Sequence, residues 1–299
     1  MDKYLFSYAT ASDPPIKRGL IRLVETATGQ PKLKRMYVHN QRFPRSGETF
    51  FEAAVRSLEL DVRYDSHALA AVPKTGPVVF VANHPYGVLD GIVMAWLVSK
   101  VRPDFVVVTH IVLTRAPEAA PVILPVDFSG TEEAERTNLN SRAAARAHLA
   151  KGGAVVVFPA GAISTTPDAL GLKPAVDGRW QPFVAQLIQR SKATVVPIWF
   201  GGQNSRLFQM ASHVSATLRL SLIFHEVKAR IGATLPVVIG TPTPFASVAA
   251  IRDRQALADD LRARVYALAR LAPAIGKPRR AASKLLRPRL LMPRADRAA

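Results

Sequence analysis

The chain contains no cysteine in its 299 residues. That absence removes disulfides, thiolate metal sites, iron–sulfur clusters and a cysteine nucleophile, and it fits a reducing compartment. There is also no apolar run of the roughly 18–20 residues that a membrane-spanning helix needs. The longest candidates, 91–98 and 105–113, are short and carry polar residues at their ends or middle. The first fifteen residues lack the charged start and apolar stretch of a secretory signal. Together these absences predict a cytoplasmic protein that meets a membrane, if at all, from that side.

Acidic residues are scarce: 22 Asp and Glu stand against 40 Lys and Arg, a net charge of +18. Such an excess calls for a polyanion, either nucleic acid or anionic lipid. The balance is uneven along the chain. From Lys277 onward eight basic residues face only Asp296, with Leu285, Leu286, Leu290, Leu291 and Met292 interleaved. Apolar side chains between basic ones favour a membrane surface over a duplex groove, because they can enter the headgroup boundary. An anionic membrane is therefore the expected partner and no specific nucleic acid is. A solvated, disordered tail is the plainer reading of such a run. A second basic stretch lies at 17–45.

Hydrophobic residues make up 48% of the chain, enough for a substantial core. Runs that are apolar throughout, 77–82, 105–109, 153–158 and 194–200, alternate with segments of helical spacing at 90–100, 131–150 and 181–191. Buried strands alternating with helices predict an α/β domain with a mixed, mostly parallel sheet covered by helices on both faces. A helix is expected at 49–58, a short strand at Val62 and Tyr64, strands at 218–224 and 235–239, and a closing helix at 252–271. The resulting organisation is a helical N-terminal extension (1–70), the α/β domain (71–272) and a basic tail (273–299). Two proline-containing segments, 164–179 and 241–245, read as surface loops.

One segment carries chemistry. A buried strand ends at Ala82, and Asn83, His84, Pro85, Tyr86, Gly87 and Asp90 follow before an apolar helix. Loops beyond the carboxyl ends of strands form the ligand crevice of α/β sheets. Asp90 is expected at the helix N-cap, where a carboxylate is favoured. A tight loop then brings it to one imidazole nitrogen of His84 and leaves the other to take a proton. A lone histidine after a strand is more often structural, and a lone aspartate there is more often only a cap. The two together, with the surrounding Asn, Pro and Gly residues, are harder to explain by packing. The remaining histidines show no ligand spacing, and no metal is called for.

The pattern Asn-His-Pro-x-Gly-x-x-Asp-Gly from Asn83 to Gly91 resembles the first motif of the PlsC-like glycerophospholipid acyltransferase superfamily. The usual form has four residues between His and Asp; here there are five. That spacing is similar to the branch of hemolysin-like and lyso-ornithine-lipid acyltransferases. Phe158, Pro159, Ala160, Gly161, Ala162, Ile163 and Ser164 resemble the third motif, Phe-Pro-Glu-Gly-Thr-Arg-Ser, and Val196-Pro197-Ile198 resembles the fourth. Gly202 to Phe208, with Asn204, Ser205 and Arg206, is similar to a Gly-x-Asn-Ser segment of the same branch. The likeness spans about residues 50–245. Two departures stand out: Ala160 and Ile163 replace the motif glutamate and arginine, and 123–127 lacks the arginine of the second motif. In relatives those positions help to hold a glycerol phosphate. Their loss removes charge-assisted hydrogen bonds, so the resemblance implies a different acceptor, such as a lipoamino acid, unless Arg115 or Arg206 substitutes.

The resemblance implies a glycerol-3-phosphate acyltransferase-like fold and O-acyl transfer in membrane lipid synthesis. The donor is an acyl-CoA or acyl carrier protein thioester and the acceptor a lysolipid, with no cofactor. His84 is the expected general base and Asp90 its orienting carboxylate. Asn83, Pro85, Tyr86, Gly87, Phe158, Pro159, Gly161, Ala162, Ser164, Asn204, Ser205 and Arg206 are the expected substrate-binding residues. Within that set, the N–H groups of Gly161 and Ala162 and the Ser164 hydroxyl are expected to meet the thioester oxyanion. A serine hydrolase is a weaker rival, because no Gly-x-Ser-x-Gly elbow is present. A rival of another class is a non-catalytic basic protein binding membrane or nucleic acid on a degenerate fold; the His84/Asp90 pair is what such a binder has no reason to keep.

Overall fold

The structure is a computed structural model that describes Ser7 and residues 14–275. The basic tail from Lys277 lies outside the described residues. In chain order the elements are α1 (Pro15–Thr28), α2 (Gln30–Arg42), α3 (Phe50–Ser57), β1 (Asp61–Arg63), α4 (Ser66–Ala70), β2 (Val78–Ala82), α5 (Val88–Ser99), β3 (Phe105–His110), β4 (Ile123–Val126), α6 (Glu132–Ala150), β5 (Ala154–Val157), α7 (Phe183–Ser191), β6 (Thr194–Phe200), α8 (Arg206–Val214), α9 (Ala216–Ser221), α10 (Ile223–Ala229), β7 (Thr234–Ile239) and α11 (Arg254–Ala267).

Seven strands form one sheet in the order β1-β7-β6-β2-β5-β3-β4. Every neighbouring pair is parallel except β6 with β7. This is the mixed, mostly parallel α/β sheet that the pattern of apolar runs and helices predicts. β2 is buried over its whole length because the period-2 alternation of a strand sends its side chains into two different cores. Val78, Phe80 and Ala82 join Leu89, Val93 and Leu97 of α5 on one face. Val79 and Val81 join Trp180, Leu187 of α7 and Leu261 of α11 on the other.

The helices before residue 60 pack on the first of these faces: Leu33, Val55 and Leu58 belong to the same core as Phe80. β1 is an edge strand of the sheet, in register with β7 through Asp61–Thr234 and Val62–Leu235. The strand expected at 218–224 is instead the end of α9 and the start of α10. Leu222, Ile223, Phe224 and Val227 are buried there. A short apolar run has no periodicity of its own to separate a buried strand from a buried helix, and the covering helices decided it.

One buried cation anchors the opposite end of the sheet. Arg102 is fully buried, donating to the carbonyls of Pro73, Gly76 and Gly152 and pairing with Asp104 through two bonds of 2.7 and 2.8 Å. It satisfies carbonyls that two separate loops, before β2 and before β5, would otherwise bury without partners.

Candidate functional site

The site is built at the carboxyl end of β2, in the centre of the sheet. Asn83 extends the strand pairing by one side chain: its Oδ1 accepts from Phe200 N–H at 2.7 Å and its Nδ2 donates to the Phe200 carbonyl at 2.9 Å. Asn83 is thus a structural tie between β2 and β6 rather than a substrate contact. The chain then turns sharply through Gly87, whose φ of 78° lies in the region that favours glycine. Gly87 also has Ile163 against it; a Cβ there would sit 2.6 Å from the Ile163 Cδ1.

That turn sets Asp90 three residues inside the helix rather than at its N-cap. Gly87 is the N-cap of α5 and Asp90 is its third residue. Its Oδ2 accepts from the backbone N–H groups of Tyr86 (2.7 Å) and Gly87 (2.9 Å), which are free donors at a helix start. The same oxygen lies 3.2 Å from His84 Nδ1. The carboxylate is fully buried, and burial raises its pKa, opposed by the His84 contact and the two N–H groups. His84 Nδ1 is buried against it, off the line of a full hydrogen bond. The side chain keeps 17% of its surface exposed. Hydrogen bonds of this kind are often poorly aligned before substrate binds.

The rest of the loop fixes the imidazole. The Phe158 ring lies over it, with centroids 4.2 Å apart and planes 31° from parallel. Ser164 N–H donates to the His84 carbonyl at 2.8 Å, and His84 N–H donates to Asp177 Oδ1 at 3.1 Å. Asp177 also accepts from Ser164 Oγ (2.5 Å) and from Trp180 Nε1 (2.8 Å). The segment 164–179 therefore departs from a surface loop at both ends: Ser164, Thr166 and Asp177 are buried. Sequence reasoning missed Asp177, because nothing local marks an aspartate that acts on a histidine 93 positions away. Replacing Asp177 by alanine strands three buried donors at about 1–3 kcal/mol each. The expected outcome is a lower melting temperature and reduced turnover together, read by thermal denaturation and thioester consumption on the same sample.

Two of the three expected oxyanion donors serve the scaffold. The Ser164 hydroxyl is spent on Asp177, and Gly161 N–H closes a turn onto the Phe158 carbonyl at 3.0 Å. Neither is open to an oxyanion. Ala162 is exposed, and its N–H has no acceptor among the described residues. Tyr86 is buried; its hydroxyl donates to the Gly201 carbonyl at 2.8 Å, and desolvation pushes its pKa up to about 12. Pro85 and Pro159 are buried as well.

In the 202–208 segment Ser205 caps α8 and donates through Oγ to the buried Glu226 at 2.5 Å. Arg206 is exposed. Asn204 is buried, and neither its Oδ1 nor its Nδ2 has a partner among the described residues. The basic residue that reaches the third-motif loop is neither Arg115, whose Nη1 donates to the Ser7 carbonyl, nor Arg206. It is Arg219 of α9, which donates to the Ile163 carbonyl at 2.6 Å. Desolvation lowers its pKa. Among the described residues no group of three or more His, Asp or Glu side chains gathers as a metal would require.

Next to the His84 loop lies an apolar cavity of about 800 Å³. Val88, Gly91, Ile92 and Ala95 of α5 form one wall, and Met36 and Phe51 of α2 and α3 face them. Ile223, which approaches Gly87 beside Ile163, lines the same space. The cavity therefore runs from the turn that positions His84 toward the N-terminal helices. No helix among the described residues is long and apolar enough to cross a membrane.

A family model described as Acyltransferase matches residues 34–242. The lyso-glycine lipid O-acyltransferase of Bacteroides thetaiotaomicron is 25% identical over 214 residues, covering 69% of this chain and 74% of that protein. The protein of the same name from Phocaeicola vulgatus is 24% identical over 207 residues, covering 67% and 70%. Among solved structures, the 1-acyl-sn-glycerophosphate acyltransferase PlsC from Thermotoga maritima aligns with a TM-score of 0.44 at 13% identity, over 85% of this chain and 87% of that one.

Proposed function

This chain belongs to the acyltransferase family, and from that premise we propose that it transfers a fatty acyl group from a thioester to the hydroxyl of a lysolipid, with His84 as general base. The observation that carries the reading is the juxtaposition of a part-exposed His84, paired with the buried Asp90, and a chain-sized apolar cavity. Pockets of about 300–1,000 Å³ hold ligands of this size, and this one begins at the turn that holds the pair.

The chemistry follows from the geometry. An alcohol is a poor nucleophile near neutral pH, so a positioned base is needed. His84 Nε2 takes the hydroxyl proton while the oxygen attacks the thioester carbonyl. Asp90, against Nδ1, holds the tautomer and stabilises the imidazolium that forms. The carbon–oxygen bond forms, the carbon–sulfur bond breaks, and the imidazolium returns its proton to the departing thiolate. The exposed Ala162 N–H is the donor best placed to meet the transient oxyanion. The acyl thioester of coenzyme A or acyl carrier protein is the co-substrate consumed, and the free carrier thiol is released.

The acceptor we favour is a lysolipid built on an amide-linked amino acid, of the lyso-ornithine or lyso-glycine type. Ile163 stands where relatives place an arginine, and it packs on Gly87 instead of presenting charge. The two curated relatives act, by their names, on a lyso-glycine lipid. The test is a panel of purified acceptors offered with one acyl thioester. The expected outcome is faster transfer to lyso-aminolipids than to lysophosphatidic acid; equal or reversed rates would refute the acceptor assignment while leaving the family intact.

A further inference from the structure

We propose that the outer face of α8 and α9, together with the tip of the 164–179 loop, is a docking surface for an anionic lipid bilayer, built into the folded domain. The inference rests on the lysolipid reading above, whose acceptor resides in a membrane.

The surface is an ordered stripe. Leu207, Met210 and Val214 recur at the spacing that puts them on one side of α8, and they are 53%, 42% and 78% exposed. Leu218 of α9, packed beside α8, is also exposed. Leu170 and Leu172, at 59% and 65%, flank Gly171, which sits against Arg206 and Gln209 at the start of α8. On the far flank of α9, α1 turns Ile16, Leu20 and Leu23 outward. Large apolar groups clustered in this way mark an interaction site, whereas scattered ones do not.

Charge decides which partner fits. Across 164–179 and 205–225 the basic residues are Lys173, Arg179, Arg206 and Arg219, and the acids are Asp168 and Asp177. Asp177 is buried beneath His84. Asp168 spends both oxygens on the N–H groups of Leu172 and Lys173. Lys173, Arg179 and Arg206 are exposed and only Asp168 opposes them at the surface, and apolar side chains rimmed by such an excess of positive charge are what an anionic headgroup boundary accommodates. The location adds a functional reason. The loop that carries Leu170 and Leu172 is the one whose two buried ends, Ser164 and Asp177, hold the backbone of His84. A bilayer seated on this face lies against the loop that holds His84.

The experiment uses the full chain and two double variants, Leu207→Glu with Val214→Glu, and Leu170→Glu with Leu172→Glu. Exposed positions tolerate such changes, and a thermal melt checks each variant. Wild type is expected to co-sediment with vesicles of mixed phosphatidylglycerol and phosphatidylcholine, and more weakly with phosphatidylcholine alone. Each folded variant is expected to bind the mixed vesicles at least roughly tenfold more weakly, with unchanged turnover of lysolipid in detergent. Unchanged vesicle binding in both variants overturns the proposal, since other basic segments then suffice. A dimer that the variants convert to monomer, with no effect on vesicles, overturns it in favour of a contact between copies. If detergent turnover is absent even in wild type while vesicle binding follows the expectation, the docking surface stands and the acyl-transfer reading falls.

Discussion

Replacing His84 by alanine is expected to lower acyl transfer by about 10²–10⁴-fold, the usual contribution of a positioned general base. The loss belongs in kcat and kcat/KM together, because the proton moves only in the transition state. It is read as release of free thiol from an acyl thioester in the presence of a lysolipid. Stability changes little by comparison: the ring touches Phe158 and Asp90, while the bonds from Ser164 and to Asp177 are made by the His84 backbone and survive the substitution. Alanine also leaves Asp90 buried beside a void, still held by the Tyr86 and Gly87 N–H groups. A folded His84→Ala protein with wild-type turnover removes the mechanism. One that is inactive but binds vesicles normally separates the base from the docking surface.

Filling the cavity from Gly91 has the second large effect. Gly91 lies on α5 one residue after Asp90, lines the cavity, and has open space where a Cβ would stand. Its φ lies outside the glycine-favouring region, so Gly91→Phe is free of backbone strain. It also exchanges glycine for a residue with better helix propensity. The benzyl group occupies space that the proposed acyl chain needs. If it displaces about four methylenes at ~0.8 kcal/mol each, long-chain transfer falls by ~3 kcal/mol, on the order of 100-fold in kcat/KM. Short-chain thioesters are expected to keep their rate. A chain-length series on wild type and variant checks this directly, and a uniform loss across all lengths would count against the cavity as the acyl site.

The apolar runs of β2, β5 and β6, at the centre of the sheet, were plain from the residues because these strands are buried on both faces and need no partner to be recognised. The His84 and Asp90 pair was legible for a related reason. Strand end, tight turn and helix start lie within one short stretch, so local chemistry alone brings the two side chains together. Even there the helix boundary shifted: Asp90 caps from the third position because Gly87, with its positive φ, starts the helix earlier. The residues 218–224 read as a strand because apolar content without period does not choose between strand and helix.

What only the tertiary structure decided is everything that depends on distant segments meeting. Asp177 under His84, Asn83 bonded to Phe200, and Arg219 at Ile163 each join residues between 56 and 117 positions apart. Shorter-range bonds, Ser164 Oγ to Asp177 and Gly161 N–H to the Phe158 carbonyl, turned these two from expected oxyanion donors into scaffold, since a hydroxyl or N–H already paired in the fold has nothing left to give a substrate. The sequence by itself determined the kind of domain and the His84–Asp90 pair it carries, because periodicity and turn chemistry are local. The cavity beside that pair, the clamp beneath it and the exposed apolar stripe of α8 and α9 were decided by packing, which no single segment encodes.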